Sequence, residues 1–250
     1  MSTLEERMTL RPRDSEPPKR KRSRLRTAMH ALSTVLIVSG VLLLADAGLT
    51  IVWQEPLSAA YNSVQQSRLS GQLEDDIEQL RPTALEERAL QSLPDAGSRV
   101  AFSARALDRK AKAGQPIGRV VIPKLGLSKV IVEGTESADL QNGPGHYPDQ
   151  PMPGAPGTVA IAGHRTTYGA PFRTIDKLGK GDRIELRMPY ATITYEVEKL
   201  QIVAPTATWV TARQDYNRLV LTACHPLYSA AQRIVVFARE VETEPGSGLI

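Results

Sequence analysis

Apolar residues fall along this chain in three regimes. The first is an almost continuous run over residues 28–53, interrupted mainly by His30, Ser33, Thr34, Ser39, Asp46 and Thr50. Roughly 20 apolar residues in one helix cross a hydrocarbon core, so the run predicts a transmembrane anchor. The second regime, 54–113, is rich in Gln, Glu, Ala, Ser and Arg and is punctuated by Pro56, Pro82 and Pro94. Helices are expected over 57–80 and 83–93, but their apolar stripes are thin, and the segment reads as a partly helical extracellular linker whose role is reach. The third regime begins at residue 114 and alternates short β-rich runs with Gly and Pro. Strands are expected at 118–122, 129–132, 158–162, 182–187, 191–203, 217–222 and 232–238. Turn signals separate them, at Pro123 to Gly126, Gly143 to Gly145, Pro151 to Gly157, Gly179 to Gly181 and Pro189-Tyr190.

This spacing predicts an all-β domain, a sandwich or barrel, over 114–240. Helices of a dozen residues do not recur between the strands, which argues against a doubly wound sheet. Short helical segments are expected at 137–140 and 171–178, a long loop over 203–219 with Trp209 packed in the core, and a fraying tail over 241–250.

Charge adds topology. Residues 1–27 hold nine Lys or Arg against four Asp or Glu, while the whole chain carries a formal charge of +4, so the rest is close to neutral. The basic tail precedes the apolar run, and the first charge after Trp53 is Glu55. The inside-positive bias therefore predicts a single-pass membrane protein with a cytoplasmic N-terminus, Trp53 at the far interface and the β domain outside the cell. A cleaved signal sequence is the rival reading, but its apolar part spans about 7–15 residues and Ala45-Asp46-Ala47 is a poor cleavage site. With the basic surplus confined to the tail, no nucleic-acid partner is expected.

Chemistry centres on Cys224, the one cysteine in 250 residues, which excludes an internal disulfide. It ends the apolar strand run Leu219-Val220-Leu221-Thr222 and precedes His225-Pro226, where proline stops the ladder. A thiol there is held by a sheet yet opens onto a groove. The bland alternative is a buried structural cysteine. A cysteine nucleophile needs a proton partner and a donor for developing oxyanion charge. His164 follows the strand run Val159 to Ala162, and Arg233 opens the last one. His225 is a rival base, but neighbouring side chains on extended backbone point to opposite faces, so a residue from another strand is better placed. His146 reads as structural. Neither ligand spacing nor acidic clustering indicates a metal, and a Gly-rich phosphate cradle is absent, so no cofactor is expected.

Several ordered motifs in the β region resemble the sortase family, and more particularly the class E sortases of high-GC Gram-positive bacteria. They are Asn142-Gly143-Pro144-Gly145-His146-Tyr147-Pro148, then Ala160-Ile161-Ala162-Gly163-His164-Arg165-Thr166-Thr167-Tyr168-Gly169, then Leu221-Thr222-Ala223-Cys224-His225-Pro226, and Ser229-Ala230-Ala231-Gln232-Arg233. The resemblance implies a closed eight-stranded β-barrel with Cys224, His164 and Arg233 as the catalytic set. It implies a substrate-binding set of Tyr168, Thr222, Thr166, Thr167 and His225, with Tyr168 at the position linked to reading an alanine in the signal.

The activity implied is cysteine transpeptidation. Secreted proteins with a Leu-Pro-Xaa-Thr-Gly or Leu-Ala-Xaa-Thr-Gly signal would be cut between Thr and Gly and joined to an amine of the peptidoglycan stem peptide or its lipid-linked precursor. The alternatives are a membrane-anchored cysteine peptidase or amidase acting by hydrolysis, a pilin-polymerising enzyme, and a tethered barrel that only binds wall proteins.

Overall fold

The computed structural model describes residues 24–52, 56–79 and 83–246. Most of the basic tail, Trp53 and the last four residues, on which some expectations fell, lie outside the described residues. Helix α1, Arg24–Val52, belongs largely to a unit of its own, residues 1–47, separate from 48–250. Within it, Arg26–Gly48 is long and apolar enough to cross a membrane. Leu36, Leu42, Leu43 and Leu44 are all exposed, so the apolar surface runs around the helix instead of forming one stripe. A helix apolar on every side is stable only in an apolar surrounding.

Eight strands form the body of the second unit: β1 Pro116–Ile122, β2 Leu127–Glu133, β3 Gly145–His146, β4 Thr158–Ala162, β5 Arg183–Met188, β6 Ala191–Val203, β7 Arg218–His225 and β8 Gln232–Pro245. They close into a barrel in the order β1-β2-β3-β4-β7-β8-β6-β5, as the family resemblance implies. The β2–β3 and β4–β7 pairs are parallel and the others antiparallel. The period-2 pattern of each strand sends alternate residues inward. Val159 and Ile161 of β4, Leu219, Leu221 and Ala223 of β7, and Ile234 and Val236 of β8 meet Leu186, Ile193 and Tyr195 in one interior cluster.

Two strand features depart from the sequence expectation. Strand β3 has two residues, too few for alternation to register, and its place depends on close backbone approach. A Cβ at Gly145 would run into the Gly134 carbonyl, and one at Gly143 would lie 2.8 Å from the Val130 carbonyl. At the other end, the tail expected to fray is strand as far as Pro245, with Thr194 paired to Glu242 and Thr192 to Glu244. None of its residues is buried, and Glu242, Thr243 and Glu244 give it no apolar pattern, so backbone pairing holds it. The 171–178 segment is helical only as one 3-10 turn, Ile175–Lys177, whereas the 137–140 expectation matches α5, Ser137–Leu140.

Three helices precede the barrel: α2 Pro56–Gln79, α3 Ala84–Ser92 and α4 Ala96–Lys110. A Thr83–Glu86 capping box starts α3, and Asp95 accepts from the Ser98 N–H to start α4. The segment expected to supply reach also covers the barrel. On α2, Asn62, Gln66, Leu69 and Leu73 recur at helical spacing and are buried, with the two leucines against Val130 and Val132. Val100, Ala104 and Leu107 of α4 join the interior cluster. The α2 stripe looked thin because amides make up half of it, and α4, Ala96–Lys110, was not among the expected helices, its buried positions including Ala101 and Ala104.

Gln66 shows what an amide contributes. Strand β2 meets β3 only at Val132 and Glu133, so Val130 has no strand partner on that side. The Val130 N–H donates to Gln66 Oε1 at 2.7 Å, and Gln66 Nε2 donates to the Val130 carbonyl at 3.3 Å and the Asn142 carbonyl at 2.8 Å. One side chain thus satisfies buried backbone groups that a longer β3 would have paired.

Candidate active site

The wall formed by β4, β7 and β8 has a second apolar face, outside the barrel. Residues one position out of phase with the interior set, Ala160, Val220, Val235 and Phe237, cluster there with Val203 at the end of β6 and Val210 from the β6–β7 connection. Tyr147, just after β3, packs against the same cluster. Alternation along β7 carries this face from Val220 through Thr222 to Cys224, and along β8 from Phe237 through Val235 to Arg233. Cys224 and Arg233 are direct cross-strand partners. Thr222 pairs with Ala162, and the Gly163 N–H donates to the Thr222 carbonyl at 3.0 Å.

That bond carries the parallel register one residue beyond β4, and His164 follows it in the chain. The thiol is half-buried and free. His164 is half-buried too, with its ring centroid 5.2 Å from that of Tyr168. Its Nε2 is buried without a hydrogen-bond partner, and burial pushes the imidazole below its usual range, because the charged form loses hydration. Tyr168 adopts φ 51°, a left-handed conformation rare outside glycine, in the turn that Thr166 and Thr167 begin.

Arg233 donates from Nη1 to the carbonyls of Ala230 and Gln232, both at 3.0 Å, which braces the guanidinium against its own loop. The Thr222 hydroxyl lies 3.0 Å from the Tyr147 hydroxyl. His225 turns away from this group, its Nδ1 3.2 Å from Arg165 Nη1, and so sits apart from Thr222. His146 is fully buried, with Nδ1 2.8 Å from Glu133 Oε2 and Nε2 3.2 Å from the Pro151 carbonyl, the structural position its reading anticipated.

Trp209 is not a core residue. It is 51% exposed and stacks on Phe237 at a centroid distance of 6.2 Å, so one face covers the outer apolar cluster and the other meets solvent. Sequence reasoning gave no role to Arg165 or Tyr147, both of which touch the nucleophile strand. The signals were weak: an arginine beside a histidine reads as surface charge, and a tyrosine after a Gly-Pro turn reads as loop.

A sortase domain matches residues 120–241. Sortase D of Bacillus subtilis is 36% identical over 136 residues, covering 53% of this chain and 67% of that protein. The chain belongs to the sortase family. Sortase SrtE1 of Streptomyces coelicolor is 31% identical over 150 residues, covering 54% of this chain and 43% of the relative. Among solved structures, a Clostridium perfringens sortase D5 transpeptidase aligns with a TM-score of 0.55 and 25% identity over 72% of this chain and 99% of its own. As a sortase, the chain is a cysteine transpeptidase, and its closed barrel is the fold of that family.

Proposed function

We propose that this sortase anchors secreted proteins to the cell wall through Cys224, His164 and Arg233. The observation that supports the reading is the register of three adjacent strands: Cys224 pairs with Arg233 across β7 and β8, and β4 pairs with β7 as far as Ala162 and Thr222, two residues before His164. The Cys224 thiolate attacks the carbonyl carbon of the signal threonine. Arg233, whose guanidinium keeps further N–H groups beyond Nη1, stabilises the oxyanion. As the C–N bond breaks, imidazolium at His164 gives its proton to the departing glycine amine and a thioester remains. An acceptor amine then attacks the thioester carbonyl, returns a proton to His164, forms the new amide and releases the thiolate. A lowered imidazole basicity leaves only a small imidazolium population at neutral pH, which makes turnover slow.

The groove that receives the signal runs over Thr222 between Tyr147 and the β6–β7 connection, with the Thr166 to Tyr168 turn beside His164. We assign this sortase to class E, with a preference for Leu-Ala-Xaa-Thr-Gly. The higher identity to sortase D favours a second reading, class D. The membrane anchor is α1, with the N-terminus in the cytoplasm and the barrel outside. The acceptor is an amine of peptidoglycan or its precursor.

The test incubates the full chain in detergent with competing Leu-Ala-Xaa-Thr-Gly and Leu-Pro-Xaa-Thr-Gly peptides and a nucleophilic amine, and identifies products by mass spectrometry. An amide-linked product with the alanine peptide in excess, lost in Cys224→Ala, is expected. Free acid alone would mean hydrolysis, and excess proline product would remove the class E assignment.

A further inference from the structure

Arg165 is only 3% exposed, and its donors reach two separate segments. Nη1 donates to the Cys224 carbonyl at 3.4 Å and faces His225 Nδ1 at 3.2 Å. Nε and Nη2 both donate to the Arg173 carbonyl at 3.4 Å, and Nη2 also donates to Asp176 Oδ1 at 3.0 Å. A guanidinium has donors and no acceptor. The ring nitrogen it faces must therefore present a lone pair, which fixes His225 as the Nε2–H tautomer.

The sequence positions make this more than a loop bond. Arg165 directly follows His164, and His225 directly follows Cys224. On extended backbone, neighbouring side chains project to opposite sides. Along β7 that puts His225 on the side away from Cys224, and the Arg165–His225 contact ties this strand end to the residue that follows His164. Cys224 is held by its pairing with Arg233, but His164 lies two residues past the last β4–β7 pair, where the ladder no longer sets its distance from the sulfur.

We propose that Arg165 is a positioning residue for acyl transfer: by gripping the Cys224 carbonyl and the His225 ring, it fixes the spacing of His164 from the Cys224 sulfur. This rests on reading Cys224 as nucleophile and His164 as proton carrier. Lysine cannot replace it, because one ammonium point charge does not span the Cys224 carbonyl, the His225 ring and the Arg173 carbonyl together.

The experiment labels histidines with nitrogen-15 in the full chain, solubilised in detergent, and compares it with Arg165→Met and Arg165→Lys. In the unsubstituted chain, His225 Nδ1 should resonate as a lone-pair nitrogen and Nε2 as a protonated one. In Arg165→Met the two tautomers should mix, kcat for thioester formation should fall on the order of 100-fold, and KM should stay within about threefold. Arg165→Lys should recover only a minor part of that loss. A proton on His225 Nδ1 in the unsubstituted chain overturns the proposal even if Arg165→Met does not fold. Unchanged kcat in a folded Arg165→Met, a loss confined to KM, or full recovery by lysine also overturns it. An unsubstituted chain that forms no thioester removes the proposed function instead, and the tautomer measurement, which needs no peptide, separates the two failures.

Discussion

On the proposed assignment, His164 gives the site its pH dependence. Desolvation lowers its basicity, so the folded protein binds a proton there less readily than the unfolded chain, whose imidazole titrates near the ordinary 6.5. The sign follows from linkage. Above 6.5 the group is neutral in both states and folding is undisturbed; as pH falls below 6.5, the unfolded chain takes up the proton first and stability is lost, until the folded imidazole titrates as well. Thermal unfolding measured across that window should show a stability decline that is shallower in His164→Gln. A histidine NMR titration should put the His164 midpoint below 6.5 and return it toward that value in Tyr168→Ala, where the neighbouring ring no longer helps exclude water. Arg233 makes a separate prediction. Arg233→Gln should cut kcat by roughly 100–1,000-fold, the size expected for removal of one oxyanion donor, while leaving alkylation of Cys224 by iodoacetamide within about threefold in rate. Equal losses in both measurements would mean that Arg233 holds the strand end and does not stabilise the reacting carbonyl. The proposed set of Cys224, His164 and Arg233 was chosen from the sequence because each lies at the end or the beginning of a β-rich run. Arg165 could not be, because the burial of an arginine depends on partners that meet it only after β4 and β7 pair.

At the scale of elements, α2 does work that its polarity concealed. Its buried amide replaces a strand partner for Val130, so Gln66→Ala leaves buried backbone groups on β2 unpaired. Each such group costs about 1–3 kcal/mol, and chemical denaturation should report a loss of that order. Gln66→Glu tests the cause, since a carboxylate still accepts from the Val130 N–H but cannot donate to the Val130 and Asn142 carbonyls. It should recover only part of the loss. Equal stability of Gln66→Ala and the unsubstituted chain would mean that water replaces the amide and that α2 is a passive cover. Seven strands were visible in the sequence, as short β-rich runs that either alternate, as in β5, or are apolar almost throughout, as in β4, between Gly and Pro turns. Strand β3, the end of β8 and the stripe on α4 were not. Their determinants are glycine clearance at Gly143 and Gly145, backbone pairing of the largely polar end of β8, and alanines, none of which alters hydrophobic periodicity.

At the scale of the whole molecule, the single cysteine makes membrane orientation measurable without further engineering. Helix α1 is apolar around its full circumference, and the nucleophile lies far along the chain in the barrel. If α1 anchors the chain with its basic end in the cytoplasm, Cys224 must be on the outer side of the membrane. A charged maleimide that does not cross membranes should then label Cys224 in intact cells as completely as in lysed ones, because the thiol is half-buried and not sealed. The competing outcome is equally sharp. Labelling that appears only after lysis would put the barrel in the cytoplasm, away from peptidoglycan, and wall anchoring would fail with it. Reversing the charge of the tail by replacing Lys19, Arg20, Lys21 and Arg22 with glutamate should reduce labelling in intact cells, since the bias that orients a span comes from lysine and arginine near its end. Unchanged labelling in that variant would assign the orientation to the translocated barrel itself and would leave the tail free for another task, such as contact with anionic lipids.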